Sequence, residues 1–170
     1  MTLTCNDPSR THPLTIALLA LPILVWPKLG ISQVSEINPA PAFSGERLAD
    51  APRVDWITNG GNVYDQRYSP LDEINQNNVA NLRGVWRARL NGSGTESKYS
   101  GEAQPLVYDG VVYIITGADD VFAVSVETGE TLWSYEANLD EEIDTICCGW
   151  TSRGVGLGEG KIFAGQLDGK

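Results

Sequence analysis

PLVYDGVVYIITGADDVFAVSVETGETLWSYE, residues 105–136, holds four short apolar segments separated by turn residues, and the way they are joined decides the fold. Asp109-Gly110 lies between Pro105–Tyr108 and Val111–Thr116. An Asp-Gly pair supplies the two positive φ angles that a two-residue hairpin connection needs, so these segments read as a hairpin. A second hairpin joins Val121–Val126 to Thr131–Glu136 through Glu127-Thr128-Gly129-Glu130. The segments are rich in β-branched and aromatic residues, which suit a pleated, half-buried surface. Four antiparallel strands on this scale make one propeller blade, expected from about Gly101 to Glu136.

The pattern then restarts. In GVGLGEGKIFAGQLDGK, Glu159-Gly160 stands fifty positions after Asp109-Gly110, and Phe163 fifty after Tyr113. A repeat of roughly 50 residues built from short strands is the signature of a β-propeller. Trp86 and Trp133, forty-seven positions apart and each expected to end an apolar strand, fit the same register. The fold class is therefore all-β, a propeller of which one complete unit and parts of two others fall within the chain. Propellers usually close with about four to eight blades, so these are expected to be the first blades of a larger ring. Alone, they would leave strand edges and a sheet face uncovered.

With 170 residues, 42% hydrophobic and 8% aromatic, the composition supports an ordinary core. The formal charge of -10 comes from acidic residues scattered along the chain, a surface that repels phosphate backbones and excludes nucleic acid as a partner. Residues 1–32 read as a secretory signal peptide. Arg10 and His12 precede the apolar run Leu14–Trp26, which Pro22 interrupts and which is too short for a membrane span of roughly 20 residues. Cleavage is expected after Ser32, with export to the periplasm and no stable membrane span. Residues 33–55, rich in Pro and Ala, read as a linker with one short helix around Glu46–Ala49. Residues 56–170 carry the propeller.

Loss of the signal removes Cys5 and leaves the neighbours Cys147 and Cys148 in an oxidising compartment. Adjacent Cα atoms lie about 3.8 Å apart, whereas ordinary disulfides span roughly 4.4–6.8 Å, so a bond between them would close a strained eight-membered ring. Such strain gathers at functional sites, and two buried thiols are the alternative. Zinc is disfavoured, because the exported part has no His and no second Cys pair. Arg153-Gly154 follows the cysteines closely, and Glu102 stands at the mouth of the strand Pro105–Tyr108. If the units stack as blades, Glu102, the cysteines and Arg153 share one central pocket. There an Arg can grip carboxylates with a forked pair of hydrogen bonds, and a disulfide ring offers a polarizable face to a planar ligand. Taken singly, Glu102 reads as a solvated surface group and Arg153 as a surface ion pair, and it is the neighbouring cysteines that shift the reading.

Three blocks resemble a known family in order and spacing. GGNVYDQRYSPLDEINQNNVANLRGVW, from Gly60 to Trp86, is similar to the opening segment of pyrroloquinoline quinone (PQQ) dependent alcohol and methanol dehydrogenases. GEAQPLVYDGVVYI and the CC...SRG segment ending in KIFAGQLDGK resemble its following blocks, so the likeness runs from Trp56 to Lys170. It implies an eight-bladed propeller in which Cys147 and Cys148 form a disulfide ring against one face of PQQ, while Glu102 and Arg153 bind its polar edge. It further implies oxidation of a small alcohol, with electrons passed to a cytochrome c that is separate or fused downstream. The catalytic Asp, the calcium ligands and the Trp on the other quinone face would all lie beyond Lys170. No catalytic residue and no metal ligand is assigned within the chain.

Two departures from the family pattern stand out. The tryptophan-docking repeat is present as Ala123, Gly129 and Trp133, but Ser125 replaces the usual Asp, which predicts a weaker blade-locking hydrogen bond. Gly149-Trp150-Thr151-Ser152 stands where many relatives carry Asp and Asn, so the substrate side of the pocket is expected to differ. The rival reading is a non-catalytic PQQ-like propeller that binds protein partners in the cell envelope; such a scaffold has no need of Cys147-Cys148, Glu102 or Arg153. A thiol-disulfide exchanger would commonly use a Cys-x-x-Cys spacing, which is missing.

Overall fold

The structure, a computed structural model, describes residues 37–92, 99–144 and 149–170. The signal peptide assigned to residues 1–32 lies outside the described residues. In chain order the elements are α1 (Gly45–Ala49), β1 (Tyr99–Ser100), β2 (Leu106–Tyr108), β3 (Val111–Ile115), β4 (Val121–Ser125), β5 (Thr131–Tyr135), β6 (Trp150–Thr151), β7 (Gly156–Gly158) and β8 (Lys161–Phe163).

Strands β2, β3, β4 and β5 form one antiparallel sheet in sequence order, the blade expected from residues 105–136. Asp109 (φ 46°) and Gly110 (φ 75°) make the tight turn between β2 and β3. Cross-strand pairing lines up Leu106, Tyr113, Ala123 and Trp133 across one face of the sheet. On that face Leu106, Tyr113, Ile115, Val121 and Ala123 pack with Val155 from the next unit into the main core, against Leu157, Ile162 and Ala164. Alternation along β3 puts Val111, Tyr113 and Ile115 inside, as a period of two demands. Burying a side chain of this size contributes about 1.5–3 kcal/mol, which makes this face the main source of blade stability.

The next unit repeats the first at the level of backbone bonds. β7 and β8 pair through Glu159 (φ 52°) and Gly160 (φ 70°), fifty positions after the first turn. The loop after β3 closes with Thr116 N–H donating to Asp120 O (2.9 Å) and Asp119 N–H to Thr116 O (3.1 Å). Fifty positions on, Gln166 N–H donates to Lys170 O and Gly169 N–H to Gln166 O, both at 3.0 Å. The described residues thus hold one complete blade and the opening hairpin of another, a partial propeller with no closed ring. β1 and β6 run parallel, Tyr99 opposite Trp150, and an isolated parallel bridge joins Gln104 to Gly154. The approaches to the two units are therefore side by side.

Trp86 does not end a strand, because residues 82–88 lie outside every sheet of the described residues. Its ring instead lies against Gly129, and its indole N–H donates to Val126 O at 2.7 Å. Ser125 closes the turn beneath that ring: its Oγ accepts from Thr128 N–H at 3.2 Å, and its carbonyl accepts from Gly129 N–H at 2.9 Å.

Residues 37–55 include the expected helix, α1, capped by Ser44 Oγ accepting from Arg47 N–H. The stretch is seated on the blades rather than hanging free. Asn38 donates to Asp109 Oδ2 (2.6 Å), Ala40 O accepts from Gly160 N–H (2.7 Å), and Asp55 Oδ1 accepts from Asp109 N–H (3.0 Å). Both hairpin turns are thereby tied to one strap.

Gly129 sits at φ 74°, and a Cβ there would come within 2.6 Å of the Trp86 ring. Gly129→Ala is expected to expel Trp86 from its dock. A red shift of Trp86 fluorescence, read in a variant with the other tryptophans replaced, checks this; an unchanged spectrum counts against the dock.

Asp119 joins the two units a second time. It is almost fully buried, its Oδ2 accepts from Leu167 N–H (2.7 Å), and its Oδ1 has no hydrogen-bond partner among the described residues. Burial pushes its carboxyl above the usual aspartate range, the Leu167 N–H pulls it back, and Asp168 and Asp120 add to the rise. A carboxyl raised on folding binds its proton more tightly in the folded chain, so stability falls as pH climbs from the ordinary value through the raised one. Asp119→Asn keeps an acceptor and tolerates the positive φ of 60°. Urea midpoints measured across the acid range should depend less on pH than in the unaltered protein, with the pH 7 midpoint unchanged or higher. A variant with the same slope would show that Asp119 is not the titrating group.

Candidate cofactor site

Glu102 and Arg153 follow β1 and β6, so the parallel approach of the two chain segments delivers them to the same place. Their side chains meet at 3.1 Å, Arg153 Nε to Glu102 Oε2. The stacking of blades inferred from the fifty-residue repeat thus brings these two site residues together. The pair is open to water, with the Arg153 side chain 81% exposed and that of Glu102 47%. Two buried neighbours fix the chain around Arg153: Ser152 before it and Val155 after it both point inward. The guanidinium is left facing outward with most of its donors available.

The backbone at Arg153 is held from the strand side. Arg153 O accepts from Gln104 N–H at 3.2 Å, and Gly154 adopts φ 141°, where a side chain is strained. A Cβ on Gly154 would also sit 3.0 Å from Asn59 Oδ1 and 3.3 Å from Gln104 O. The turn containing Asn59 is tied in by Gly60 N–H donating to Gln104 Oε1 at 3.0 Å. Nothing in the residue types of Asn59 or Gln104 marks them as part of this junction, since it depends on contacts between segments far apart in the chain.

Cys147 and Cys148 lie outside the described residues. The chain that follows them is pinned at once, by Gly149 at φ 85° and by Trp150. Trp150 is buried in a second small core with Ala137 and Leu139, packs edge-on to Tyr99 (5.8 Å, 69°) and donates its indole N–H to Ile143 O at 3.0 Å. Trp150, in the segment where the substrate side of the pocket is expected to differ, is thus committed to packing. Among the described residues no group of three or more His, Cys, Asp or Glu is placed to hold a metal ion.

An ion pair this exposed contributes only about 0–1 kcal/mol to stability, since water and salt screen it. Arg153→Ala is therefore expected to move the urea midpoint by the equivalent of about 1 kcal/mol or less. A much larger loss would make the residue a structural one.

Residues 56–166 match the family model for the glucose/ethanol/alcohol dehydrogenase β-propeller domain, the PQQ domain. The quinoprotein alcohol dehydrogenase PedH of Pseudomonas putida is 43% identical over 131 residues, which cover 76% of this chain and 21% of that protein. Among solved structures, the quinohemoprotein alcohol dehydrogenase from Comamonas testosteroni matches with a TM-score of 0.66 and 36% identity, over 74% of this chain and 18% of the other. A europium-containing methanol dehydrogenase matches with a TM-score of 0.56 and 28% identity, over 68% of this chain and 20% of that one. The chain thus spans about a fifth of the length of the relatives it matches.

Proposed function

The chain belongs to the PQQ-dependent alcohol dehydrogenase family, and from that premise we propose that it is the N-terminal part of a periplasmic quinoprotein alcohol dehydrogenase, supplying one side of the PQQ site. The observation that carries the reading is the meeting of Glu102 and Arg153 at 3.1 Å, delivered by consecutive blades, with Arg153 six positions after Cys147.

The donor set fits the cofactor. PQQ is a planar, polyanionic quinone, and an outward-facing guanidinium offers the fork geometry that carboxylates accept in pairs. Glu102 meets that guanidinium at one edge, through Arg153 Nε. The Gly154 backbone, with no Cβ, leaves the strand entrance narrow and close to Gln104. Cys147 and Cys148, joined as a disulfide ring, would lie against one face of the quinone. When bound, PQQ supplies the two-electron oxidant for a small alcohol. In this reading the base, an Asp, and the calcium ligands lie in blades beyond Lys170, and a cytochrome c takes the electrons. The residues described here bind and orient; they do not move the substrate proton. Export rests on Arg10 and the apolar run Leu14–Trp26, which Pro22 interrupts and Pro27 follows.

The reading is tested by titrating PQQ into the calcium-loaded full-length protein. Arg153→Ala removes a charge-assisted contact whose loss typically costs about 2–5 kcal/mol when the partner charge stays buried. Affinity should fall by more than about tenfold, the equivalent of 1.4 kcal/mol. Glu102→Gln should cost less, because the amide keeps its shape and one acceptor. Arg83→Ala is the control, since among the described residues Arg83 bonds the carbonyls of Ala80 and Leu82 in its own exposed turn. Equal affinities for Arg153→Ala and Arg83→Ala would favour the non-catalytic scaffold.

A further inference from the structure

Three chain segments converge on Gln104. Its backbone N–H donates to Arg153 O at 3.2 Å, and the same two strands are bridged in parallel between Gln104 and Gly154. Its side-chain Oε1 accepts the Gly60 N–H at 3.0 Å, which ties in a turn forty-four positions earlier. Asn59 in that turn completes the contact, because its amide lies against Gly154 so closely that a Cβ there would be 3.0 Å from Oδ1 and 3.1 Å from Nδ2. The N-terminal turn, the entrance of the first blade and that of the second are joined at one half-buried residue.

We propose that Gln104 is a positioning residue for Arg153, with the Asn59-Gly60 turn as its brace. The argument starts from what cannot hold Arg153. Its side chain is 81% exposed, and the ion pair with Glu102 is open to water, so that pair is too weak and too mobile to fix the guanidinium. What can be fixed is the backbone from which the long side chain projects. Binding groups need to be held within about 0.5 Å and 10–20° of their working geometry, and a small rotation at the Arg153 backbone is magnified at the tip of its side chain. Among the described residues, one hydrogen bond, from Gln104 N–H, reaches the Arg153 carbonyl from the neighbouring strand. The placement of Gln104 is thereby passed to the Arg153 backbone, alongside the anchoring of Ser152 and Val155. Oε1 supplies the brace by capturing Gly60, and a side chain at Gly60 (φ 71°) is strained, since a Cβ would clash with the side chain and backbone of Asp65. The proposal deepens the assignment of PQQ to Glu102 and Arg153 and rests on it.

A double-mutant cycle separates positioning from general damage. Gln104→Met keeps the backbone bond to Arg153 and the side-chain length but loses the acceptor for Gly60, because a thioether accepts poorly. PQQ is titrated into the full-length protein in four forms: unaltered, Gln104→Met, Arg153→Ala and the double variant. Gln104→Met alone should weaken binding by about tenfold, and in the Arg153→Ala background it should change the Kd by less than about twofold. Asn59→Ala, at an exposed turn residue, is run through the same cycle with the same expected pattern and serves if Gln104→Met does not fold. Equal losses in both backgrounds would overturn the proposal, since they would mean damage that does not pass through Arg153. So would unaltered affinity in Gln104→Met and Asn59→Ala alongside weakened affinity in Arg153→Ala. Unaltered affinity in Arg153→Ala itself points lower, to the cofactor assignment, and removes the proposal along with it.

Discussion

The parallel approach of two chain segments, Tyr99 beside Trp150 and Gln104 beside Gly154, is the contact on which the rest of the site depends. Parallel strands cannot be joined by a tight turn, so they must come from different units of the chain. The ladder between them is short, and packing holds it: Trp150 and Tyr99 meet edge to face in one small core, and Val155 enters the core of the preceding blade. Separating these segments would part Glu102 from Arg153 and leave each a solvated surface charge.

The two ends of the blade carry different tasks. Strand direction puts the Asp109-Gly110, Val126–Glu130 and Glu159-Gly160 turns at one end, and the strand entrances with Glu102, Arg153 and the Thr116–Asp120 loop at the other. The strap of residues 37–55 and the Trp86 dock both fasten the first end. At the second end two polar contacts join the units, Asp119 to Leu167 N–H and Arg153 to Glu102, beside the small apolar core that holds Trp150, Ala118 and Leu167. Asp119 is buried and pushed toward its neutral form, while Arg153 stays in water with its charge. A buried carboxylate with one unpartnered oxygen loses solvation that its single backbone bond does not replace. The exposed guanidinium keeps both its solvation and its capacity to take a ligand.

Much of this was legible in the sequence, for local reasons. Asp109-Gly110 and Glu159-Gly160 announce their turns through backbone chemistry that neighbours cannot override, and the helix at Gly45–Ala49 has its cap in Ser44. The fifty-residue period, once seen, places Glu102 and Arg153 at equivalent entrances, which is why their meeting could be inferred. Trp86 was harder. Its spacing to Trp133 suggested a strand end, whereas its indole is satisfied by the Val126 carbonyl of the blade alongside and needs no ladder of its own. Asn59, Gln104 and Asp119 gave no signal, because an amide in a turn and an aspartate in Gly-Ala-Asp-Asp look like ordinary solvated groups until a distant backbone N–H arrives to use them. Cys147 and Cys148, the pair that most suggested chemistry, lie outside the described residues.

The turn under Trp86 shows what the repeat asks of its residues. The Ser125 hydroxyl accepts from Thr128 N–H and its carbonyl from Gly129 N–H, and these two bonds close the turn. What the dock requires is a glycine at positive φ and a free carbonyl at Val126, both properties of the backbone. The side chain at position 125 only has to supply one acceptor near the turn. Trp150 obeys the same logic at the other end: after Gly149 turns the chain, a large apolar side chain anchors the strand from beneath, and Arg153 is left to face outward. Variation at these positions is absorbed by packing, while the glycines and the junction at Gln104 carry the geometry on which the outward-facing charge depends.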